Sequence, residues 1–186
     1  MNENKEYRLK EIRAEEGEGM IIEGYAVVFD APTDMGGYTE IIERGALDGA
    51  DLTDVCMKYN HEDDYLIMAR TRNKSLQLIV DETGLKVRAE LIDTQSNRDI
   101  YKAIQSRLLD KMSFAFIVED AVWDTIDGQD TRRIQKIAKL YDVAVVDFPA
   151  YDATDIFVTR KKADTEHEAY KKLKLEKDKL KLLLSL

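Results

Sequence analysis

Short runs with an apolar residue at every second position recur along the first 160 residues of this chain, and they constrain its fold more than any other feature. Val55, Met57, Tyr59 and His61 share one face of such a run, and Leu85, Val87 and Ala89 share another. Met112, Phe114, Phe116 and Val118 alternate with Ser113, Ala115 and Ile117, while Tyr141, Val143 and Val145 alternate with Asp142. A period of two places such residues on one side of a strand. Further strands are expected over 7–14, 20–29, 38–42, 67–71, 76–80, 119–123, 132–140 and 156–159, with turns at 15–19, 81–84 and 127–128. A helical turn is expected over 44–50. Only one segment of the body has clear helical spacing, Ile100, Tyr101, Ile104 and Leu108, with Thr94 or Ser96 to cap it. The pattern predicts a mostly β protein of the α+β class, and fits a closed or partly closed barrel better than a doubly wound sheet.

A chain of 186 residues suffices for one domain with a core and an appendage. The character changes at Lys161. Residues 161–186 carry eight lysines against five acids and no Gly or Pro, which predicts a lysine-rich helical tail beyond a 1–160 domain. Leu173 and Leu180 stand one heptad apart on it, and the reading is of a solvated or partner-docking helix separate from the core. The formal net charge of −9 argues against a general nucleic-acid or anionic-membrane binder. No run approaches the roughly 20 apolar residues of a membrane span, and no signal peptide is expected from the charged N-terminus.

A single cysteine, Cys56, excludes an intramolecular disulfide and a thiolate metal cluster, and suits a reducing compartment. The thiol reads as a core residue, since nothing near it in sequence would depress its pKa. His61 stands beside Glu62, Asp63 and Asp64, but three consecutive residues cannot all face one ion, and no metal or organic cofactor is expected. No glycine-rich phosphate loop occurs. Nucleophilic hydrolysis fits better. It needs a nucleophile, a base and a group that orients the base. Ser113 can be the first, and His61, the only histidine outside the tail, the second. Asp142 interrupts an otherwise apolar strand, where a carboxylate needs a partner. The competing readings are structural: a hydrogen-bonded Ser113, and an Asp142 that is exposed or paired with Arg132 or Arg133.

Asn60-His61-Glu62, the Lys111–Phe116 segment KMSFAF and the 140–150 segment LYDVAVVDFPA resemble the three signatures of the phage prohead (procapsid maturation) serine proteases. Residues 24–29 and 43–47 resemble that family's N-terminal blocks, so the resemblance runs over about residues 7–158, in family order. It implies a herpesvirus-protease-like β-barrel and an endopeptidase that cleaves scaffold, or the scaffolding segment of the major capsid protein, and itself. Such an enzyme would work as a homo-oligomer inside the immature capsid, in the host cytoplasm or from a prophage. Carried over, Ser113 matches the nucleophile, His61 the base and Asp142 the acidic third member. Arg70, Arg132 and Arg133 are candidate helpers. Three residues depart from the pattern: Asp142 for the commoner Glu, Ala115 for Gly, and Glu62 for Asp. A catalytically silent capsid assembly or scaffolding module is the alternative.

Overall fold

The computed structural model describes residues 6–14, 19–147 and 157–185. In chain order these form β1 (Glu6–Ala14), β2 (Met20–Val28), β3 (Thr33–Asp34), β4 (Thr39–Ile42), β5 (Cys56–Tyr59), β6 (Ala69–Arg70), β7 (Leu76–Val80), β8 (Gly84–Leu91), α1 (Gln95–Gln105), β9 (Lys111–Ile126), β10 (Gln129–Val146) and α2 (Phe157–Leu184). The mostly β, α+β expectation holds. The hydrogen-bonded order β3-β4-β10-β9-β1-β2-β8-β7 is a path and not a ring, so the sheets do not close into a barrel. Of the turn expected over 15–19, only Gly19, at φ 102°, is among the described residues.

The β9–β10 hairpin is the spine. Asp127 and Gly128 both have positive φ, 52° and 81°, the backbone that a tight two-residue hairpin requires. The sequence pattern suggested four separate strands where there are two, and the ladder explains why. Four register shifts punctuate the ladder: those between Ile134 and Lys136, between Ile137 and Lys139, and between Leu140 and Asp142 add one residue to β10, and the one between Lys136 and Ile137 adds one to β9. The residues it gives to the main hydrophobic cluster run Ile134, Ile137, Leu140 and Val143, three apart, before Val145 restores the step of two. A bulge switches the face on which alternation continues and bends the strand. Period two fails locally although the strand is unbroken.

β9 pairs on its other edge with β1, antiparallel, and β1 leads through β2 to β8 and β7. The second edge of β10 takes β4 and then β5, both parallel, with an isolated bridge between Asp51 and Lys139 between them. The segment expected as a helical turn, 44–50, is a succession of tight turns closed by Ala46 N to Glu43 O, Asp48 N to Gly45 O and Ala50 N to Leu47 O. Gly84 permits the closest backbone approach in β2–β8, since a Cβ there would stand 1.9 Å from Val27 O.

α1 is capped by Thr94, whose side chain accepts from Asn97 N at 3.2 Å. Ile100, Tyr101 and Ile104 bury its inner face. Leu108 does not join that stripe and is 78% exposed, because the helix stops at Gln105 and Arg107 enters the left-handed region at φ 58°. Leu109 is buried in its place.

The strand expected at 156–159 is not formed over 157–159, which open α2; residue 156 lies outside the described region. The first half of α2 docks on the far half of the hairpin. His167 stacks on Trp123 with centroids 4.8 Å apart and bonds Asp130 Oδ2 through Nε2 at 3.0 Å. Lys174 donates to the other Asp130 oxygen at 2.8 Å, and the buried Arg132 bridges Glu40 and Glu166 at 3.1 Å each. Beyond this contact the helix leaves Leu175, Leu180, Leu182, Leu183 and Leu184 exposed. No helix among the described residues is long and apolar enough to cross a membrane.

The Lys174 hydrogen bond, followed by that of His167, holds Asp130 below the ordinary carboxylate value against the opposing effect of its partial burial. A depressed folded-state pKa contributes stability above the ordinary carboxylate range that is lost as pH falls through the depressed value. Trp123, the single tryptophan, reports this directly. Its fluorescence is expected to hold steady down to that range and then to shift as α2 loosens, whereas Asp130→Asn shows the loosened signal at neutral pH. A wild-type signal that is flat until global acid unfolding refutes the assignment.

Candidate active site

Three strands assemble the site. On β10, Asp142 pairs with Ala115 of β9 on one side and Cys56 of β5 on the other, and Ala144 pairs with Ser113 and Lys58. Residues directly opposite one another in a ladder share a face, as do residues two apart on a strand. Ser113, Ala115, Asp142, Ala144, Cys56 and Lys58 therefore occupy one patch, on the face opposite Phe114 and Val143. The register shift between Leu140 and Asp142 sets this arrangement. It lets Leu140 and Val143 both enter the core while Asp142 turns to the serine's side.

His61 arrives from β5 through a turn. Asn60 and His61 have φ 50° and 59°, and Glu62 N closes the turn on Tyr59 O at 3.0 Å. Asn is among the few side-chain-bearing residues that enter this region readily. Asn60 also fastens the turn to β10: its N–H donates to Val145 O at 2.9 Å, and its Oδ1 accepts from Asp147 N at 3.1 Å. The structural role of Asn60 went unread in the sequence, although an Asn just past a strand was the available signal.

The turn places His61 Nδ1 2.5 Å from Asp142 Oδ1, with the side chains 16% and 4% exposed. A carboxylate accepting from Nδ1–H selects the tautomer whose Nε2 carries the lone pair that a base needs. The Lys58 ammonium stands 3.9 Å from Asp142 Oδ2. The buried carboxylate thus meets a donor on one oxygen and a cation near the other. Ser113, 2% exposed, lies one strand over and diagonal to Asp142.

Cys56 lies in the patch but is buried, and burial pushes its thiol up, away from thiolate chemistry. The three arginines are engaged elsewhere: Arg70 forks onto Asp54 at 2.6 and 2.8 Å, Arg132 binds Glu40 and Glu166, and Arg133 binds Asp124 and Glu43. Arg132 and Arg133 sit in the far half of the hairpin. Among the described residues no group of three or more His, Cys, Asp or Glu is placed to hold a metal ion.

This arrangement carries a carboxylate–imidazole pair and a hydroxyl on one sheet face. A family model described as the caudovirus prohead serine protease matches residues 6–169. The chain belongs to that family of serine proteases. A solved structure described as the bacteriophage T4 capsid assembly protease, gp21, aligns over 75% of this chain and 98% of its own, at 12% identity and a TM-score of 0.43. No curated protein matches the chain.

Ala115 is not among the residues with positive φ; it sits fully buried in β9, opposite the register shift between Leu140 and Asp142. The glycine that the resemblance calls for is therefore not needed by the backbone here. Ala115→Gly is expected to fold and to lose about 0.5–1 kcal/mol through added unfolded-state entropy. Urea unfolding measures this, and a more stable variant would show that the position is strained.

Proposed function

We propose that the chain is a serine endopeptidase of procapsid maturation in which Ser113 is the nucleophile, His61 the general base and Asp142 the group that orients His61. The observation that carries the reading is the 2.5 Å contact of His61 Nδ1 with a nearly buried Asp142, on the sheet face that Ser113 shares. Diagonal neighbours on one face stand roughly 7–8 Å apart, a gap that an imidazole seated over Asp142 can span.

In the reaction so assigned, His61 Nε2 takes the Ser113 Oγ proton as Oγ bonds to the scissile carbonyl carbon. Asp142 stabilises the imidazolium without accepting its proton. Backbone N–H groups stabilise the oxyanion. The tetrahedral species collapses as His61 returns its proton to the departing amine, leaving an acyl-serine. Water, deprotonated by His61, then releases the new carboxylate and restores Ser113. The substrates are scaffold or the scaffolding segment of the major capsid protein, and the enzyme itself as a homo-oligomer, within the immature capsid in the host cytoplasm.

The burial of Ser113 favours one second reading, a catalytically silent capsid assembly module in which the serine is structural. A fluorophosphonate separates the two when applied to the protein assembled with its capsid substrate. Labelling at Ser113 supports the enzyme, and stoichiometric capsid binding without labelling supports the module. Ser113→Ala is expected to cut cleavage by at least about 10⁴-fold with the fold retained, scored as new termini by mass spectrometry. Undiminished cleavage refutes the assignment. Activity is also expected to fall on the acid side as His61 gains a proton. A flat kcat/KM profile between about pH 5 and 8 removes His61 from the role of base.

A further inference from the structure

We propose that Lys58 is a positioning residue of this site, whose ammonium faces the second oxygen of the buried Asp142 carboxylate and, through Asp63, ties down the segment that follows His61. The inference rests on the triad reading above and adds a fourth side chain to it.

Lys58 stands in a row with Ala144 and Ser113 across β5, β10 and β9. Its side chain is only 15% exposed, unusual for a lysine on a short strand, and its Nζ lies 2.5 Å from Asp63 Oδ1 and 3.9 Å from Asp142 Oδ2. The two oxygens of Asp142 are thus divided, Oδ1 to the imidazole and Oδ2 toward the ammonium. Asp63 is 90% exposed and two residues beyond His61, so the lysine holds a solvent-facing turn against the strand that seats the base.

The charges around this group are few. Cys56 keeps its proton through burial, and Arg70 on β6 is held by Asp54. Glu62 and Asp64 are exposed in the turn, and Asp147 faces the Tyr59 hydroxyl at 3.4 Å. Burial works against the charge on Lys58, but the carboxylates of Asp63 and Asp142 outweigh it and push its pKa up, so the ammonium persists across the working range.

With a neutral imidazole at His61, the carboxylates of Asp142 and Asp63 and the single ammonium of Lys58 sum to −1. Proton transfer from serine to His61 adds a second positive charge beside Lys58. The lysine's charge therefore opposes the gain of a second positive charge at the imidazole and makes the imidazolium a stronger acid toward the departing amine. Without it, the buried carboxylate would face His61 alone and the imidazole would gain its proton at higher pH.

Lys58→Met is expected to raise the acid limb of kcat/KM by about one pH unit and to lower kcat about ten-fold, with Lys58→Arg restoring most of both. Asp63→Asn, at an exposed position that folding tolerates, should move the limb the opposite way by a smaller step, because solvent screens Asp63. The same shifts are readable without turnover by NMR titration of His61 in Ser113→Ala protein, which has only two histidines to assign. An unmoved His61 titration in Lys58→Met overturns the proposal, as does an arginine variant no better than the methionine. Should Lys58→Met fail to fold, an unmoved limb in Asp63→Asn overturns it instead. Ser113→Ala assayed alongside keeps the two readings apart. If it still cleaves, the triad falls and Lys58 with it; if it is silent while the Lys58 variants match wild type, only the role of Lys58 falls.

Discussion

β10 is paired along both edges, by β9 on one side and by β4 and then β5 on the other, and the remaining architecture hangs on that double pairing. A strand of 18 residues paired throughout cannot stay flat, because right-handed twist accumulates with length. The successive register shifts absorb the twist, three adding a residue to β10 and one, between Lys136 and Ile137, adding a residue to β9. Their second consequence is chemical. With no shift between Leu140 and Asp142, the carboxylate would turn into the cluster of Phe114, Phe116, Leu140 and Val143, where an ion has no partner. The shift that keeps the core apolar is the one that gives the other face its acid.

Burying that acid creates an electrostatic problem which the surrounding residues divide among themselves. A carboxylate at 4% exposure needs donors or counter-charge to remain ionised. His61 supplies the donor and Lys58 the charge, both from β5 or the turn directly after it. Because β5 runs parallel to β10, its end leaves the sheet at the same end as that of β10, and the next residues can fold back over Asp142. An antiparallel neighbour in that place would deliver its following turn to the opposite end.

The parts of this arrangement visible in the sequence were those with local causes. Val55 to His61 alternates, 127–128 carries a hairpin turn pair, and Thr94 stands where an N-cap belongs, so β5, the hairpin and α1 were legible. His61 and Asp142 were singled out as the lone body histidine and a charge in an apolar strand, and they do meet. What escaped depends on pairing across distance. The step of three along β10 mimics a broken strand, since bulges are specified by the partner strand. Lys58 reads as a solvent-facing lysine until β10 is placed beside it. His167 looked like part of a solvated tail, yet it stacks on Trp123 of β9 and bonds Asp130 of β10. The resemblance to a closed barrel also went further than the hydrogen bonds do, since closure requires the ends of the strand path to meet.

The shorter acid at 142 raises a last question of reach. An aspartate carries its carboxylate one methylene closer to its own backbone than the glutamate that the resemblance favours, so the imidazole must come nearer to β10. Two features bring it there. β5 is hydrogen-bonded to β10 at Asp142 itself, through Cys56, with no strand between them. The two left-handed residues, Asn60 and His61, then reverse the chain within one turn, and Asn60 pins that turn to Val145 and Asp147. Holding His61 at positive φ costs on the order of 1–3 kcal/mol, with Asn60 strained less, a cost that a looser loop would avoid. A looser loop, however, would carry His61 outward, to where only a longer side chain could meet it. The tight turn and the short acid are thus matched, and exchanging either alone would open the contact between His61 and Asp142.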